Sequence, residues 1–453
     1  METSENSQLM WKALEQLRGP LDAQDAEQLL LAVIFLRCVA DVPDGAATAD
    51  APSWRWLVDQ DSYGLTDSLE WALDAWTRPY RDGGRRLTKS IPDHHVARPL
   101  LREAVRLIDR AERPVELYEE CLERFSHTKS GGNYFTPRPL VRLLVDLLEP
   151  RPGEWVFDPA CGSGGFLAEA ARHVRERHGR QAAVELSGRD INPRARQIAW
   201  MNLTARGLEA DLGEGPVDSL RFDDAPRDTF DVVFANPPFN LKHSDDLWQR
   251  HWRYGEPPRN NANFAWVQHV VSKLTDRGRA AMLLPDGATF TAGAARQIRR
   301  GLVMDDVLSA VVALPPGLFP HTGISASIWI FSREKPSECR GQVLFIDARG
   351  QGSSAGRGRR SLSEGDIERI ASTYRSWGGA FEDRVGWCRS ASMEEIAEKE
   401  FNLYAAGYVG AAAVAPVPER ADERVAELTR ELYGHFAEAA RLEDELRDIL
   451  EEM

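Results

Sequence analysis

Apolar positions recur at helical spacing through roughly the first quarter of the chain. Asp22 to Ala40 carries Leu29, Leu30, Val33, Ile34 and Leu36, with acidic residues ahead of them. Leu101 to Arg124 repeats the theme with Leu101, Val105, Leu107, Ile108, Leu117 and Leu122. Between these stretches lie Trp54, Trp56, Trp71 and Trp76, which read as the apolar filling of a small helical bundle. Ser126 to Asn133 is polar and glycine-bearing, as a hinge would be. Leu140, Leu143, Leu144, Leu147 and Leu148 then predict a helix with one buried face. Beyond it the pattern alternates. Glu154 to Phe157, Ala182 to Ser187, Phe230 to Ala235, Arg279 to Leu284, Val307 to Leu314, Ala326 to Phe331 and Gln342 to Ile346 read as strands. Phe166 to Arg177, Asn192 to Gly207, Ala294 to Leu302 and Leu362 to Ser376 read as helices. Strands alternating with helices predict an α/β fold built on a doubly wound sheet.

The remaining segments look different. Arg349 to Arg360 is rich in Gly and Ser with several arginines, and is expected to be a mobile loop. Ala411 to Pro418 is an Ala/Val/Pro linker. Ala421 to Glu452 is charged, and Val425, Leu428, Leu432, His435, Ala439, Leu442, Leu446 and Ile449 form a heptad seam along it. Three parts are therefore expected: a helical bundle over 1–128, an α/β domain over 129–410, and a linker with a C-terminal helix over 411–453. That helix docks on a partner, packs back on its own chain or self-associates.

Bulk properties narrow the class. A chain of 453 residues, 43% hydrophobic and 28% charged, reads as a globular protein of two or three domains. Met1 to Gln8 is too acidic and polar for a signal peptide. The most apolar run, Leu29 to Leu36, is closed by Arg37 and is too short to span a membrane. Five scattered cysteines show no metal spacing and suit reduced thiols in the cytoplasm. A net charge of −14 is unusual for a lone nucleic-acid binder, so a partner would have to supply much of any phosphate grip.

Four motifs carry candidate chemistry. Thr136 fits a helix N-cap, with Pro137 at the first helical position. Asp158-Pro-Ala-Cys-Gly-Ser-Gly-Gly-Phe166 follows a strand. Gly162, Gly164 and Gly165 let backbone approach a ligand, and the following helix start offers free N–H groups. No Lys-Ser/Thr pair follows, which disfavours a nucleotide-triphosphate loop. Asp158 beside the turn favours a cationic ligand, and the amino group or sulfonium of S-adenosyl-L-methionine is one. Asp190 ends the second strand, where doubly wound folds bind a ribose diol. Asn236-Pro237-Pro238-Phe239 is a stiff turn after an apolar strand. The Asn236 side-chain oxygen and the Pro237 carbonyl can each accept one hydrogen of an amino group, and Phe239 can stack on a base. Leu241 to Asn263 interleaves Lys242, Arg250, Arg253 and Arg259 with His243, Trp248, His251, Trp252 and Tyr254, a mixture suited to a flipped base and its phosphates.

Together these strings resemble the gamma-type amino-methyltransferases, and in particular the modification (M) subunits of type I restriction-modification systems, which methylate adenine N6 in DNA. The phrases Leu314 to Phe319, Leu344 to Ala348 and Phe401 to Leu403 with Gly407 to Val409 are also similar to that family. The resemblance implies a Rossmann-like S-adenosylmethionine-dependent methyltransferase sheet with a helical N-terminal domain. It places Asn133, Tyr134, Phe135, Thr136, Pro137 and Arg138 near the methionine end of the cofactor. Asp158, Ala160, Gly162, Ser163, Gly164, Gly165 and Asp190 complete the binding set, and Asp218, in an expected third strand, meets the adenine. Asn236, Pro237, Pro238 and Phe239 are the implied catalytic residues, with no metal. Implied partners are double-stranded DNA and a DNA specificity subunit, with a second M subunit and a restriction nuclease subunit as further candidates. Two other readings stay open: methylation of protein glutamine or RNA, and a methylase-like scaffold without activity. Phe239 where a Tyr is usual, and the long helical N-terminus, point away from glutamine.

Overall fold

Helix α2 (Ala23–Val39) is apolar on nearly every side because other helices surround it. Asp22 opens it, accepting the Asp25 N–H at 2.8 Å. Around it stand α1 (Glu5–Arg18), α3 (Trp54–Asp59), α4 (Gly64–Thr77), α5 (Ala97–Asp109) and α6 (Pro114–Phe125). The computed structural model describes residues 5–18, 21–40, 52–77, 97–125, 135–222, 225–242, 251–319, 324–356 and 359–410, with Thr429 and Tyr433 as single positions. The chain forms two compact units, Met1–Val409 and Gly410–Met453. In the second, Thr429 and Tyr433 are helical, and the rest of the expected heptad helix lies outside the described residues.

The helical layer refines one expectation and corrects another. The stretch 101–124 is two helices, because Pro114 has no N–H to continue a helix and instead opens α6. Trp54 and Trp76 are core residues, but Trp56 and Trp71 are 41% and 47% exposed. On the short α3, Trp54 and Leu57 face inward, which leaves Trp56 outside. It meets Trp71 edge to face at 5.6 Å.

The second half of the first unit is built on strands β1 (Trp155–Asp158), β2 (Glu185–Gly188), β3 (Phe230–Ala235), β4 (Leu274–Pro285), β5 (Leu308–Ala313), β6 (Ala326–Ser332) and β7 (Gln342–Asp347). A separate ribbon pairs β8 (Ser353–Gly356) with β9 (Arg359–Ser361), and β10 (Cys388–Ser392) returns to the sheet. The sheet has eight strands in the order β10-β7-β5-β6-β4-β3-β1-β2. β2, β1, β3 and β4 run parallel; β6 is antiparallel to β4 and β5; β7 is parallel to β5 and antiparallel to β10. The helices are α7 (Arg138–Leu148), α8 (Gly165–His178), α9 (Pro193–Thr204), α10 (Asn263–Lys273), α11 (Gly287–Phe290), α12 (Ala294–Met304), α13 (Glu364–Ser376), α14 (Met393–Glu398) and α15 (Ala406–Val409). Both faces of the sheet are covered. Val232 and Phe234 of β3 join a core with α7, α8 and α13, while Val233 and Ala235 join another with α10 and α12.

Two further expectations fail for local reasons. No third strand forms at 218–220; a single parallel bridge, Ser187 to Asp211, flanks β2 there. Gly213, Gly215 and Pro216 interrupt that segment and prevent a ladder. The expected mobile loop over 349–360 is instead the β8–β9 ribbon, tied down where Arg360 N–H meets the Gly317 carbonyl at 2.9 Å. The helical layer and the sheet layer also share a core. Met201 of α9 and Ala205 just after it are buried with α2 and α6, and the Phe35 and Trp200 rings lie 5.4 Å apart.

Candidate functional site

The parallel run β2-β1-β3-β4 points four carboxyl ends at one edge of the sheet. The chain winds from β1 toward β2 on one side, and β3 lies on the other. A crevice opens at such a switch point. Asp158 ends β1 there. In the turn that follows, Gly162 (φ 53°) and Gly164 (φ 75°) adopt left-handed conformations. A Cβ on Gly164 would stand 3.3 Å from the backbone of Ala199, so close packing against α9 also requires glycine. Gly164 N–H closes the turn on the Cys161 carbonyl at 2.7 Å, and α8 begins at Gly165.

Asp190 ties this turn to the end of β2. Its Oδ2 accepts the Gly162 N–H at 2.9 Å and its Oδ1 the Asn192 N–H at 2.7 Å. Asn192 in turn caps α9. Lone pairs remain on both Asp190 oxygens for a diol. Asp158 is 1% exposed and accepts the Ala160 N–H at 3.0 Å. Burial pushes its carboxyl up to about 8, and the nearby charge of Asp190 adds to the rise. Burial raises Asp190 as well. Neither carboxyl forms an ion pair among the described residues, so the cradle suits a ligand that brings positive charge and hydroxyl groups. S-adenosylmethionine fits that chemistry.

The third strand of the crevice, β3, is apolar except for half-buried Asp231 and delivers Asn236 to the same edge. Asn236 Nδ2 donates to Thr136 Oγ1 at 2.9 Å. Thr136 is therefore not the cap of α7, as the sequence suggests. The cap position is Pro137, without a side-chain bond, and the helix starts at Arg138. Pro237 is buried, Pro238 exposed, and Phe239 half-buried against Phe319, edge to face at 5.7 Å. Asp218 lies in a turn, accepting the Leu220 and Arg221 N–H groups at 3.1 and 3.3 Å. Val217 N–H to the Asp190 carbonyl (2.9 Å) and Ser219 Oγ to the Pro159 carbonyl (2.7 Å) bring that turn against both loops of the cradle.

Not every expected residue comes together here. Asn133 and Tyr134 lie outside the described residues, as do His243, Trp248 and Arg250. Phe135 packs on the helical core, and the Arg138 guanidinium pairs with Glu119 of α6 at 3.1 Å. Arg253 pairs with Asp305 at 2.9 Å, and Tyr254 donates to the same carboxylate at 2.5 Å, so that part of the 241–263 loop is anchored. Phe319 and the asparagines 240, 261 and 263 around the turn were missed, since isolated polar or aromatic residues show no periodicity. A cavity of about 980 Å³ lies beside α7, α8, α9 and the helical layer. It touches Thr136, Ser163 and Gly165 but not Asp158, Asp190 or Asn236, and its walls alternate arginine with glutamate. Pairs such as Arg138–Glu119 and Arg172–Glu169 run along those walls. All five cysteines are buried and free, and no group able to hold a metal occurs among the described residues.

Residues 114–415 match the model of the family described as N-6 DNA Methylase. The chain is 37% identical over 342 residues to the HindI type I restriction enzyme methylase subunit of Haemophilus influenzae, covering 73% of this chain and 76% of that protein. It is 28% identical over 482 residues to the MjaIX type I restriction enzyme methylase subunit of Methanocaldococcus jannaschii, covering 90% and 84%. Its fold matches the crystal structure of the type I restriction-modification system methyltransferase subunit from Streptococcus thermophilus with a TM-score of 0.73, at 22% identity, over 89% of this chain and 98% of that one. With the family match spanning the cradle, the Asn-Pro-Pro-Phe turn and the whole sheet, the chain belongs to the N-6 DNA methylase family.

Proposed function

We propose that the chain methylates adenine N6 in double-stranded DNA as the modification subunit of a type I restriction-modification complex. The observation that carries this reading is the Thr136–Asn236 hydrogen bond at the edge where the Asp158–Asp190 cradle opens. S-adenosylmethionine supplies a methyl group on a positively charged sulfur. Asp158 would answer positive charge with its buried carboxyl, and Asp190 would take the ribose hydroxyls on its remaining lone pairs. The glycines keep side chains clear of the ligand, and Asp218 would meet its adenine end.

Adenine N6 is a poor nucleophile because its lone pair is delocalised into the ring. With Nδ2 held by Thr136, Asn236 presents Oδ1 to one N6 hydrogen, and the Pro237 carbonyl accepts the other. That pairing draws N6 toward tetrahedral geometry and frees the lone pair. Transfer would break the methyl–sulfur bond, leave a neutral thioether and make N6 cationic; Asn236 Oδ1 hydrogen-bonds the extra N–H until its proton passes to solvent. Phe239 stacks on the base after it leaves the duplex. Rate enhancement then comes from positioning and oriented dipoles, with no general base of matched pKa.

DNA, a specificity subunit, a second modification subunit and a nuclease subunit complete the proposed assembly, acting in the cytoplasm. The net charge of −14 supports phosphate contacts supplied by a partner. No described helix is long and apolar enough to cross a membrane. The test is methyl transfer from labelled S-adenosylmethionine by the complex purified from its host, on genomic DNA lacking this modification. N6-methyladenine is the expected product, and Asn236→Ala should abolish it while cofactor affinity stays nearly intact. Label in protein or RNA, with none in DNA, would move the activity to another substrate.

A further inference from the structure

The turn that holds Asn236 is fastened at its far end by three asparagines. Asn240, directly after Phe239, is left-handed at φ 56°, a conformation asparagine tolerates when its side chain is bonded locally. Its N–H donates to Asn263 Oδ1 at 3.0 Å, and its Oδ1 accepts from Asn263 Nδ2 at 3.0 Å and Asn261 Nδ2 at 2.9 Å. Asn263 N–H donates to Asn261 Oδ1 at 2.8 Å, and Ala262 N–H to the Leu241 carbonyl at 2.8 Å. Asn263 opens α10 and is 4% exposed, yet it does not cap its own helix. Both ends of its amide are committed to Asn240.

Helix α10 sits on the strand that delivers Asn236, since Phe264 and Val267 share a core with Val233 and Ala235. We propose that Asn240, Asn261 and Asn263 form a clamp, with Asn263 as a positioning residue, that fixes the Asn236–Phe239 turn relative to the cofactor cradle. The inference rests on the methyltransferase reading above. Chemistry done by two acceptors and a stacked ring depends on their placement, and an error of ~1 Å can cost ~100-fold in rate. The clamp holds one end of the turn and Thr136 the other.

Three variants separate clamp from backbone strain. Asn240→Gly adopts the left-handed conformation freely but has no amide. Asn240→Asp keeps an acceptor for both partner amides. Asn263→Ala removes both bonds from the helix side. The purified complex, methylating genomic DNA in single turnovers, should slow by about tenfold or more with Asn240→Gly and Asn263→Ala and stay within about threefold of the parent with Asn240→Asp. Cofactor affinity by calorimetry should change by less than about twofold, and amide exchange in 236–241 should quicken in the two slow variants. Parental rate in Asn240→Gly would overturn the clamp and leave only the backbone conformation. Equal loss of rate and cofactor affinity in Asn263→Ala would make it a general fold residue. If Asn263→Ala does not fold, the Asn240 pair still decides. Should the parent complex fail to methylate DNA, the methyltransferase reading falls, while amide exchange still tests whether the clamp holds the turn.

Discussion

Thr136 Oγ1 and Asn236 Nδ2 meet at 2.9 Å across 100 positions of sequence. The contact joins the approach to α7 with the end of β3, and it fixes the orientation of the Asn236 amide, leaving Oδ1 for the proposed substrate amine. Removing the hydroxyl leaves that amide free to rotate. A neutral hydrogen bond contributes about 0.5–1.5 kcal/mol, so Thr136→Val should lower turnover by up to roughly tenfold. Thr136→Ser should keep most of the rate. Single-turnover methyl transfer measures both, and a valine variant at full speed would remove Thr136 from the site.

Asp158, if it faces the cofactor's positive charge as proposed, should make binding depend on pH. Its folded carboxyl is raised from 3.8 to about 8, so between those values the folded chain holds a proton that the unfolded chain has lost. Stability from this group therefore falls as pH rises through that window. Binding a cation requires the ionised carboxylate, so binding below pH 8 releases a proton. Affinity should climb with pH and level off near pH 8, and Asp158→Asn should flatten the slope. Calorimetry in two buffers of different ionisation heat counts the proton; equal apparent heats below pH 8 would exclude this linkage.

The parts legible in the sequence are those with strong period or punctuation. Phe230 to Ala235 is a strand with the expected bounds because this short run, apolar but for Asp231 and rich in Val and Phe, suits a strand covered on both faces. The glycine turn was legible because Gly162 and Gly164 take left-handed conformations that favour glycine. Tertiary demands were not. Thr136 reads as a cap, yet a residue far along the chain takes its hydroxyl. The Gly/Ser-rich stretch before Leu362 reads as a mobile loop, yet hydrogen bonds between its own halves make it a ribbon. Asn240 and Asn263 carry no local signal at all, since each is explained only by the other.

Asp190 holds two backbone N–H groups of the cradle and is the proposed ribose acceptor, and its substitutions should disturb both. Asp190→Ala removes the proposed ribose acceptor and also leaves the Gly162 and Asn192 N–H groups without their partner. Cofactor binding should weaken by roughly 1–3 kcal/mol. Asp190→Asn should fare little better than alanine, because its NH₂ would face one of those N–H groups. Calorimetry on variants with an unchanged circular dichroism spectrum measures this. Parental affinity in Asp190→Asn would show that neither the charge nor the second acceptor matters.

The C-terminal unit should be dispensable for the cofactor and necessary for assembly. Val409, buried, closes the first unit, and Gly410–Met453 forms the other. Its heptad seam from Val425 to Ile449 is apolar on one side, and Gly434 interrupts the middle. A single helix of this kind is marginal in water, so it requires a surface to cover the seam. A chain ending after Val417 should keep its Tm and its cofactor affinity, because the cradle and the clamp lie wholly within Met1–Val409. It should no longer co-purify with its partner subunit, and DNA methylation should disappear with that loss. Full co-purification of the shortened chain would exclude the seam as the docking element. A fall in Tm without loss of the partner would instead mark it as a strap on its own chain.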